Sequence, residues 1–291
     1  MKPAPFDYVR PQNLAEACAI LSANEDARVI AGGQTLVPML AMRLARPAVL
    51  VDVLRLPGLS GIRVEEGALV IGATTRQVEA ERSPDVVRHL PLLAAALPWV
   101  GHPPTRNRGT VGGSLANADP SAEIPLVAVT LDAEIVTEDE GGMLAMSPDD
   151  FFIGPMLTAV PMGGLVTQVR FPIWQGGRIG VGFHEVSARR SDFAFVSAAA
   201  QVEVGADGAC TRVALGIGGV GDRPVRLDVG SLIGMRIDET VLEEAVEAAA
   251  GGLDATSDLH ASAEYRRRVA RLLGARALAD AYAEALAKEH G

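Results

Sequence analysis

The sequence is poor in side chains that bind metals. Only two of its 291 residues are cysteines, Cys18 and Cys210, and they lie far apart along the chain. A four-thiolate iron–sulfur cluster and a zinc knuckle both need more thiolates than this. The histidines form no cluster with ligand spacing: His89, His102, His184, His260 and His290. We therefore predict no metal site in this chain and expect both cysteines in the core.

Positive charge and long apolar runs are also scarce. The chain has 26 Lys and Arg against 36 Asp and Glu, a net charge of −10. Nucleic-acid surfaces need clustered positive charge, so a nucleic-acid partner is disfavoured. No stretch approaches the roughly 18 apolar residues of a transmembrane segment. The start, Met1 to Pro5, lacks the apolar core of a signal peptide, which predicts a cytoplasmic protein.

Catalytic signatures are missing as well, and glycine stands out instead. We find no nucleophile with a partner base and no glycine-x-glycine-x-x-glycine fingerprint. Two segments, Ile30–Val37 and Arg106–Pro120, each contain a Gly-Gly pair followed by small polar residues and a helix-compatible run. The five other Gly-Gly pairs of the chain are more typical of ordinary turns.

The chemistry of these two segments points to phosphate. Glycine allows positive φ and lets the backbone approach a ligand closely. Successive free amides at such a bend can hold a phosphate without a cationic side chain. Two such segments predict a diphosphate held from both sides. The alternative is that each is a plain strand-to-helix turn, which needs glycine equally.

The wider sequence around both segments resembles a known family. Residues 31–40, AGGQTLVPML, look like the FAD-binding medium subunit of molybdenum hydroxylases, the carbon monoxide and xanthine dehydrogenase type. Residues 106–120, followed by SAEIP, resemble the second flavin motif of that family. Further matches occur at residues 150–154, 189–194 and 263–267, so the resemblance extends over nearly the whole chain.

The resemblance implies an α+β fold with a two-subdomain FAD-binding domain of the vanillyl-alcohol-oxidase type and a C-terminal α+β domain. We place the FAD-binding domain at residues 1–177, with subdomains 1–60 and 61–177, and the C-terminal domain at 178–291. Periodicity and turn residues predict these main elements: helices 14–23, 36–44, 76–81, 92–97, 121–130, 239–250 and 261–288; strands 29–31, 48–53, 62–64, 68–72, 133–137, 165–171, 180–186, 198–204 and 210–216.

The resemblance also implies which residues hold FAD without a covalent bond. The first glycine segment should supply amides and a hydroxyl to the diphosphate, and the second should close on it from the other side. Ser114 has the alternative role of capping the residues that follow it. The predicted residues of this group are Ile30, Ala31, Gly32, Gly33, Gln34, Thr35, Leu36, Val37, Thr110, Gly112, Gly113, Ser114 and Leu165.

Polar residues after the second segment complete the predicted site. Asn117, Asp119 and Glu123 follow it closely, and the resemblance places an acidic residue at the position of Glu123 near the ribityl or ribose region. Asp119 has the alternative role of starting a helix, where its charge suits the helix dipole. The sequence departs from the family at Glu185, where many relatives have lysine near the flavin. Phe193 is predicted near the flavin ring, with core packing as its alternative.

The implied function is electron transfer. A large molybdopterin subunit would oxidise the substrate, a small [2Fe-2S] subunit would conduct electrons, and FAD on this chain would pass them to quinone, NAD or oxygen. One alternative is a self-sufficient flavin oxidoreductase resembling UDP-N-acetylenolpyruvoylglucosamine reductase, with Ser197 and Arg189 as its only candidate groups. A second alternative is a non-enzymatic adaptor without FAD, which the intact glycine segments oppose.

Overall fold

The computed structural model describes residues 2–288; Met1 and residues 289–291, including His290, lie outside the described part. Three parallel strands in the order β1-β3-β2 form the N-terminal sheet, with two helices beside it. Asn13 starts the first helix, since its side chain accepts a hydrogen bond from the Glu16 amide. In chain order these elements are β1 Asp7–Val9, α1 Leu14–Ala23, β2 Ala27–Ile30, α2 Leu36–Met42 and β3 Val49–Asp52.

A second, antiparallel sheet has the strand order β4-β5-β10-β6-β7 and carries a series of short helices between its strands. Strands β8 and β9 pair separately. These elements are β4 Ile62–Glu65, β5 Ala68–Gly72, α3 Gln77–Glu81, α4 Pro84–His89, α5 Pro91–Ala96, α6 Pro103–Arg108, α7 Val111–Asn117, α8 Glu123–Thr130, β6 Glu134–Asp139, β7 Gly142–Met146, α9 Pro148–Phe151, β8 Phe152–Gly154, β9 Leu157–Thr158 and β10 Leu165–Pro172.

The C-terminal part is a four-stranded antiparallel sheet in the order β11-β12-β13-β14. Helix α11 packs on one face, where a Cβ on Gly182 would lie 2.1 Å from the Ala277 carbonyl oxygen. Helix α8 packs on the other face, since a Cβ on Gly216 would lie 3.0 Å from Leu126. The elements are β11 Ile179–Ser187, β12 Ala194–Val204, β13 Cys210–Gly218, β14 Val225–Leu227, α10 Glu239–Ala250 and α11 Ala263–Ala287.

Most predicted elements are confirmed, and the exceptions have local causes. Helices α1 and α10 have the predicted ends, and both cysteines are buried. Helix α2 stops at Met42 instead of residue 44, because Arg43 adopts a left-handed conformation with φ of 59°. Helix α8 begins at Glu123, because Asp119 accepts a hydrogen bond from the Ser121 amide and shapes a turn there.

The main difference concerns the second glycine segment. Our predicted helices do not include this segment, but residues Val111–Asn117 form α7. The Thr110 side chain caps this helix by accepting a hydrogen bond from the Gly113 amide. Val111 and Leu115, one turn apart, are both fully buried. Tertiary packing therefore overrides the low helix propensity of two glycines.

Candidate cofactor site

The two glycine segments lie against each other although they are far apart in the sequence. A Cβ on Gly32 would lie 2.4 Å from the Arg108 carbonyl oxygen and 2.8 Å from the Gly109 Cα. Real side chains do not tolerate such distances, so only glycine fits at position 32 without moving the backbone. The contact brings both predicted motifs to one place in the fold.

The first segment offers a row of free amides. Within residues 2–288, no acceptor is found for the backbone N–H groups of residues 32–36. The next amide, that of Val37, donates to the Gly33 carbonyl oxygen over 2.9 Å as α2 begins. Gly33 has φ of 69°, a conformation that suits glycine. Consecutive free amides of this kind bind anionic oxygens such as those of a diphosphate.

Two polar side chains of the first segment, Gln34 and Thr35, lie beside the free amides. The Gln34 side-chain amide donates to the Gly32 carbonyl oxygen over 3.1 Å and so ties the turn together. Thr35 precedes α2 but makes no side-chain capping bond. Gln34 and Thr35 are both exposed. Their polar groups are therefore accessible to a ligand at the free amides.

The backbone amides at the start of the second segment already have hydrogen-bond acceptors, whereas we predicted that they would be free. The Val111 amide donates to the Thr75 carbonyl oxygen, and the Gly112 amide donates to the Ala73 carbonyl oxygen. The Gly113 amide is taken by the Thr110 hydroxyl over 3.1 Å. These bonds hold the start of α7 firmly to the residues that follow β5. This segment forms a wall rather than a second set of free donors.

A cavity of about 370 Å³ lies beside both segments. Four predicted residues line it: Ala31, Gly112, Gly113 and Leu165. An added Cβ on Gly113 would lie 2.6 Å from the Thr110 hydroxyl oxygen, so a side chain here would displace the cap of α7. Cavities of this size and mainly apolar lining are typical of cofactor sites.

Thr74 is a residue of this site that the sequence analysis missed. It follows β5, lines the cavity and is 4% exposed. Its hydroxyl is buried and has no hydrogen-bond partner in the described structure. An orphaned hydroxyl is costly, so this group fits a site that a polar ligand completes. A polar residue two positions after an apolar strand was the signal that could have identified it.

Asn117 and Asp119 lie at the far end of α7, which Ala118 ends with a φ of 49°. The Asn117 amide contacts the Met156 sulfur over 3.7 Å. The Asp119 carboxylate accepts from the Ser121 amide over 2.9 Å. Both side chains therefore have local contacts, and Asp119 shapes the turn before α8 without capping that helix, whose N-cap is Ala122.

Glu123 and Glu185 are brought close together from distant parts of the chain. Burial, together with the nearby charge of Glu123, raises the pKa of Glu185 to about 8. Burial also raises the pKa of Glu123 to about 7; a hydrogen bond from its own backbone amide and the charge of Arg106 oppose this shift, and the charge of Asp119 adds to it. Two carboxyl groups with raised pKa values thus influence each other, one at the start of α8 and one on β11.

The structure separates Phe193 from these groups. Phe193 is 71% exposed, in the turn between β11 and β12. The same turn holds the Arg189–Asp192 ion pair over 3.0 Å. Phe193 therefore does not pack in the core, and its exposed aromatic side chain is available to contact a ligand or a partner.

The fold and site define an FAD-binding protein of the molybdopterin dehydrogenases. The family model "FAD binding domain in molybdopterin dehydrogenase" matches residues 4–174. The model "CO dehydrogenase flavoprotein C-terminal domain" matches residues 182–281. The chain belongs to this family, which confirms the resemblance, the fold class and FAD as the cofactor. No helix within residues 2–288 is both long and apolar enough to cross a bilayer.

Individual relatives match over nearly their full length. The 6-hydroxypseudooxynicotine dehydrogenase complex subunit alpha of Paenarthrobacter nicotinovorans is 37% identical, covering 97% of this chain and 96% of the relative. The nicotine 6-hydroxylase medium subunit of that organism is 34% identical, covering 97% and 99%. A chain of quinoline 2-oxidoreductase from Pseudomonas putida 86 has a TM-score of 0.92 at 35% identity, covering 98% and 100%.

Proposed function

We propose that this chain is the FAD-carrying medium subunit of a heterotrimeric molybdenum hydroxylase. It passes electrons from the [2Fe-2S] clusters of a small subunit to an external acceptor, and a large molybdopterin subunit oxidises the substrate. The row of free amides at residues 32–36 carries this proposal, because it suits the diphosphate of FAD. The full-length similarity to medium subunits supports the assignment of partners.

The predicted residues have distinct roles in this proposal. Residues 30–37 hold the diphosphate through the amides of residues 32–36 and the polar side chains of Gln34 and Thr35. Gly112, Gly113 and Ser114 form the opposite wall, with Thr110 as their cap. Leu165 lines the cavity, and Thr74 joins the set. Asn117 at the end of α7, and Asp119, Glu123 and Glu185 beyond it, form the next part of the site. Phe193, exposed in the turn between β11 and β12, is left to contact the ligand or a partner from the surface.

Bound FAD supplies the redox chemistry, since it can take up electrons and pass them on. The protein residues hold and orient it and limit the access of water. The apolar lining of the cavity, which includes Val29, Val53 and Leu165, serves this last purpose. We also keep a cytoplasmic location as a proposal, which cell fractionation with an antibody against the chain would test.

The reductase alternative is disfavoured by the positions of its two candidate groups. Ser197 is fully buried in β12, whereas the Arg189 side chain is 82% exposed and pairs with Asp192. A proton donor and a cationic substrate contact must lie within reach of one bound substrate. These two groups have no such common space.

The test is to express the chain alone and together with the products of its neighbouring open reading frames. Substrate oxidation would be assayed with aldehydes, purines, N-heterocycles and carbon monoxide, using a dye as the electron acceptor. We expect the isolated chain to bind FAD that leaves on denaturation, and to show substrate turnover only in the complex. Turnover by the isolated chain at the rate of the complex would contradict the proposal, as would FMN in place of FAD.

A further inference from the structure

A row of three residues crosses the C-terminal sheet opposite the start of α8. Glu185 on β11 pairs with Ser197 on β12, which pairs with Gly218 on β13. A Cβ on Gly218 would lie 2.7 Å from the Ser197 hydroxyl oxygen and 3.4 Å from both Leu126 and the Pro120 carbonyl oxygen. The row therefore faces α8 and the turn before it.

The face of β11 that carries Glu185 follows from strand alternation. Gly182 contacts α11 on the opposite face. His184 also points to that side, where its ring lies 2.7 Å from the Asp280 carboxylate. Phe183, on the same face as Glu185, contacts Trp99 with ring centroids 6.0 Å apart. Glu185 is thus directed into the junction between the sheet and the helices.

Three polar atoms in this row have no hydrogen-bond partner within the described residues. They are both carboxyl oxygens of Glu185 and the hydroxyl oxygen of Ser197, and all three are buried. Ser197 itself is fully buried. Burying an ionised carboxylate without hydrogen bonds is very costly, so the neutral acid is the favoured form.

The charges around the row favour proton binding. Glu123, the first residue of α8, is the charged group that acts on Glu185, and it disfavours ionisation. Glu123 in turn is influenced by Asp119 and, in the opposite direction, by Arg106. The hydrogen-bonded pair of His184 and Asp280 lies on the other face of the sheet. No arginine or lysine within residues 2–288 is found to stabilise an ionised Glu185.

The helix that lines the cavity leads to Glu123. Glu123 follows α7 after a short turn, and Gly112, Gly113 and Ala116 of α7 line the cavity. A helix of seven residues spans about 10 Å. A ligand that extended from the free amides along α7 would run toward Glu123, the first residue of the next helix.

We propose that Glu185 holds a proton in the folded chain and that the carboxyl groups of Glu185 and Glu123 take up a further proton when bound FAD is reduced. The inference rests on the proposed function, because the electrons come from the iron–sulfur partner or a chemical reductant. The proton comes from solvent and forms an O–H bond on a carboxylate of the pair. It offsets the negative charge that reduction brings to the site.

The size of the coupling follows from Coulomb's law. One added charge about 10 Å away, at an effective dielectric constant of about 20, raises the pKa of a carboxyl group by roughly one unit. By reciprocity, protonation of the pair makes reduction of FAD more favourable by the same factor of about ten. A carboxyl pair with raised pKa values titrates in a pH range where this coupling can be measured.

The experiment compares the FAD-loaded wild-type chain with Glu185→Gln and Glu123→Gln. The control is Glu134→Gln, which removes a carboxylate that is half exposed and paired with Arg170. The midpoint potential of the flavin is measured from pH 6 to pH 9 by anaerobic dithionite titration. Infrared difference spectra between oxidised and reduced protein report the carbonyl stretch of protonated carboxylic acids.

We expect the plot of potential against pH to bend near pH 8 in the wild type and in Glu134→Gln, and to lose this bend in Glu185→Gln. The carboxylic acid band should grow on reduction of the wild type and be absent in Glu185→Gln. Identical potential profiles and identical infrared bands in the wild type and Glu185→Gln would overturn the inference. If Glu185→Gln does not fold, the same comparison with Glu123→Gln decides. A wild-type chain that retains no FAD would instead contradict the proposed function.

Discussion

Replacing Thr74 by valine should change the stability of the apoprotein and its affinity for FAD in opposite directions. The change keeps the shape of the side chain and removes a buried hydroxyl that has no partner. Leaving such a group unsatisfied costs about 1–3 kcal/mol. We therefore expect the apoprotein to gain about 1–2 kcal/mol in its free energy of unfolding, which would raise its melting temperature by roughly 2–6 °C.

The same change should weaken FAD binding. If the Thr74 hydroxyl turns toward the cavity and bonds FAD, its loss removes one hydrogen bond worth about 1 kcal/mol. That loss corresponds to a roughly fivefold higher dissociation constant. The two effects have opposite signs, and a general disturbance of the fold would not produce that pattern.

The assay is thermal unfolding of the apoprotein, combined with FAD titration followed by flavin fluorescence. Thr130→Val is the matched control, since the Thr130 hydroxyl is equally buried but donates to the Leu126 carbonyl oxygen over 2.7 Å. This control should lose stability slightly and leave FAD affinity unchanged. If Thr74→Val behaves like Thr130→Val in both measurements, the Thr74 hydroxyl does not belong to the site.

Three further predictions follow from the site and its surroundings. Gly113→Val adds a side chain at the cavity wall, with its Cβ 2.6 Å from the Thr110 hydroxyl oxygen that caps α7, and should raise the FAD dissociation constant at least tenfold. Gly252→Val, with no atom within 4 Å of its added Cβ, should leave FAD binding unchanged, and equal loss of FAD in both variants would indicate general destabilisation. Arg106→Met breaks a largely buried ion pair with Glu81 and should cost about 3 kcal/mol in urea unfolding; a change below 1 kcal/mol would contradict this. The free energy of unfolding of the apoprotein should fall as pH rises from 4.5 to about 8. The reason is that carboxyl groups with raised pKa values keep protons in the folded state that the unfolded state releases. Glu185→Gln should make the dependence on pH weaker, and an unchanged dependence would contradict the prediction.

Local sequence patterns predicted the long elements well. The amphipathic pattern and a good N-cap residue define α1, because Asn13 satisfies an amide that would otherwise lack a partner. Helix α10 begins with Asp238 in the same role. The first glycine segment was also found, because a close backbone contact at Gly32 and a positive φ at Gly33 both require glycine.

Other features depend on contacts between distant residues. The amides of the second glycine segment are taken by carbonyl oxygens of residues 73 and 75 and by the hydroxyl of residue 110, and periodicity does not reveal such bonds. Strand β1 has only three residues, and its pairing with β3 is what defines it. The partnership of Glu123 and Glu185 arises from the packing of α8 on the C-terminal sheet. The proposed division at residues 177 and 178 stays a prediction.

The contact between Gly32 and the 108–109 backbone joins parts of the chain that are 76 residues apart. The free amides can hold a diphosphate against the wall of α7 only after both subdomains have formed and met. Contacts of such long sequence separation form late in folding. The ability to bind FAD should therefore appear after most secondary structure, and the quenching of flavin fluorescence can serve as a built-in reporter of the last steps of folding.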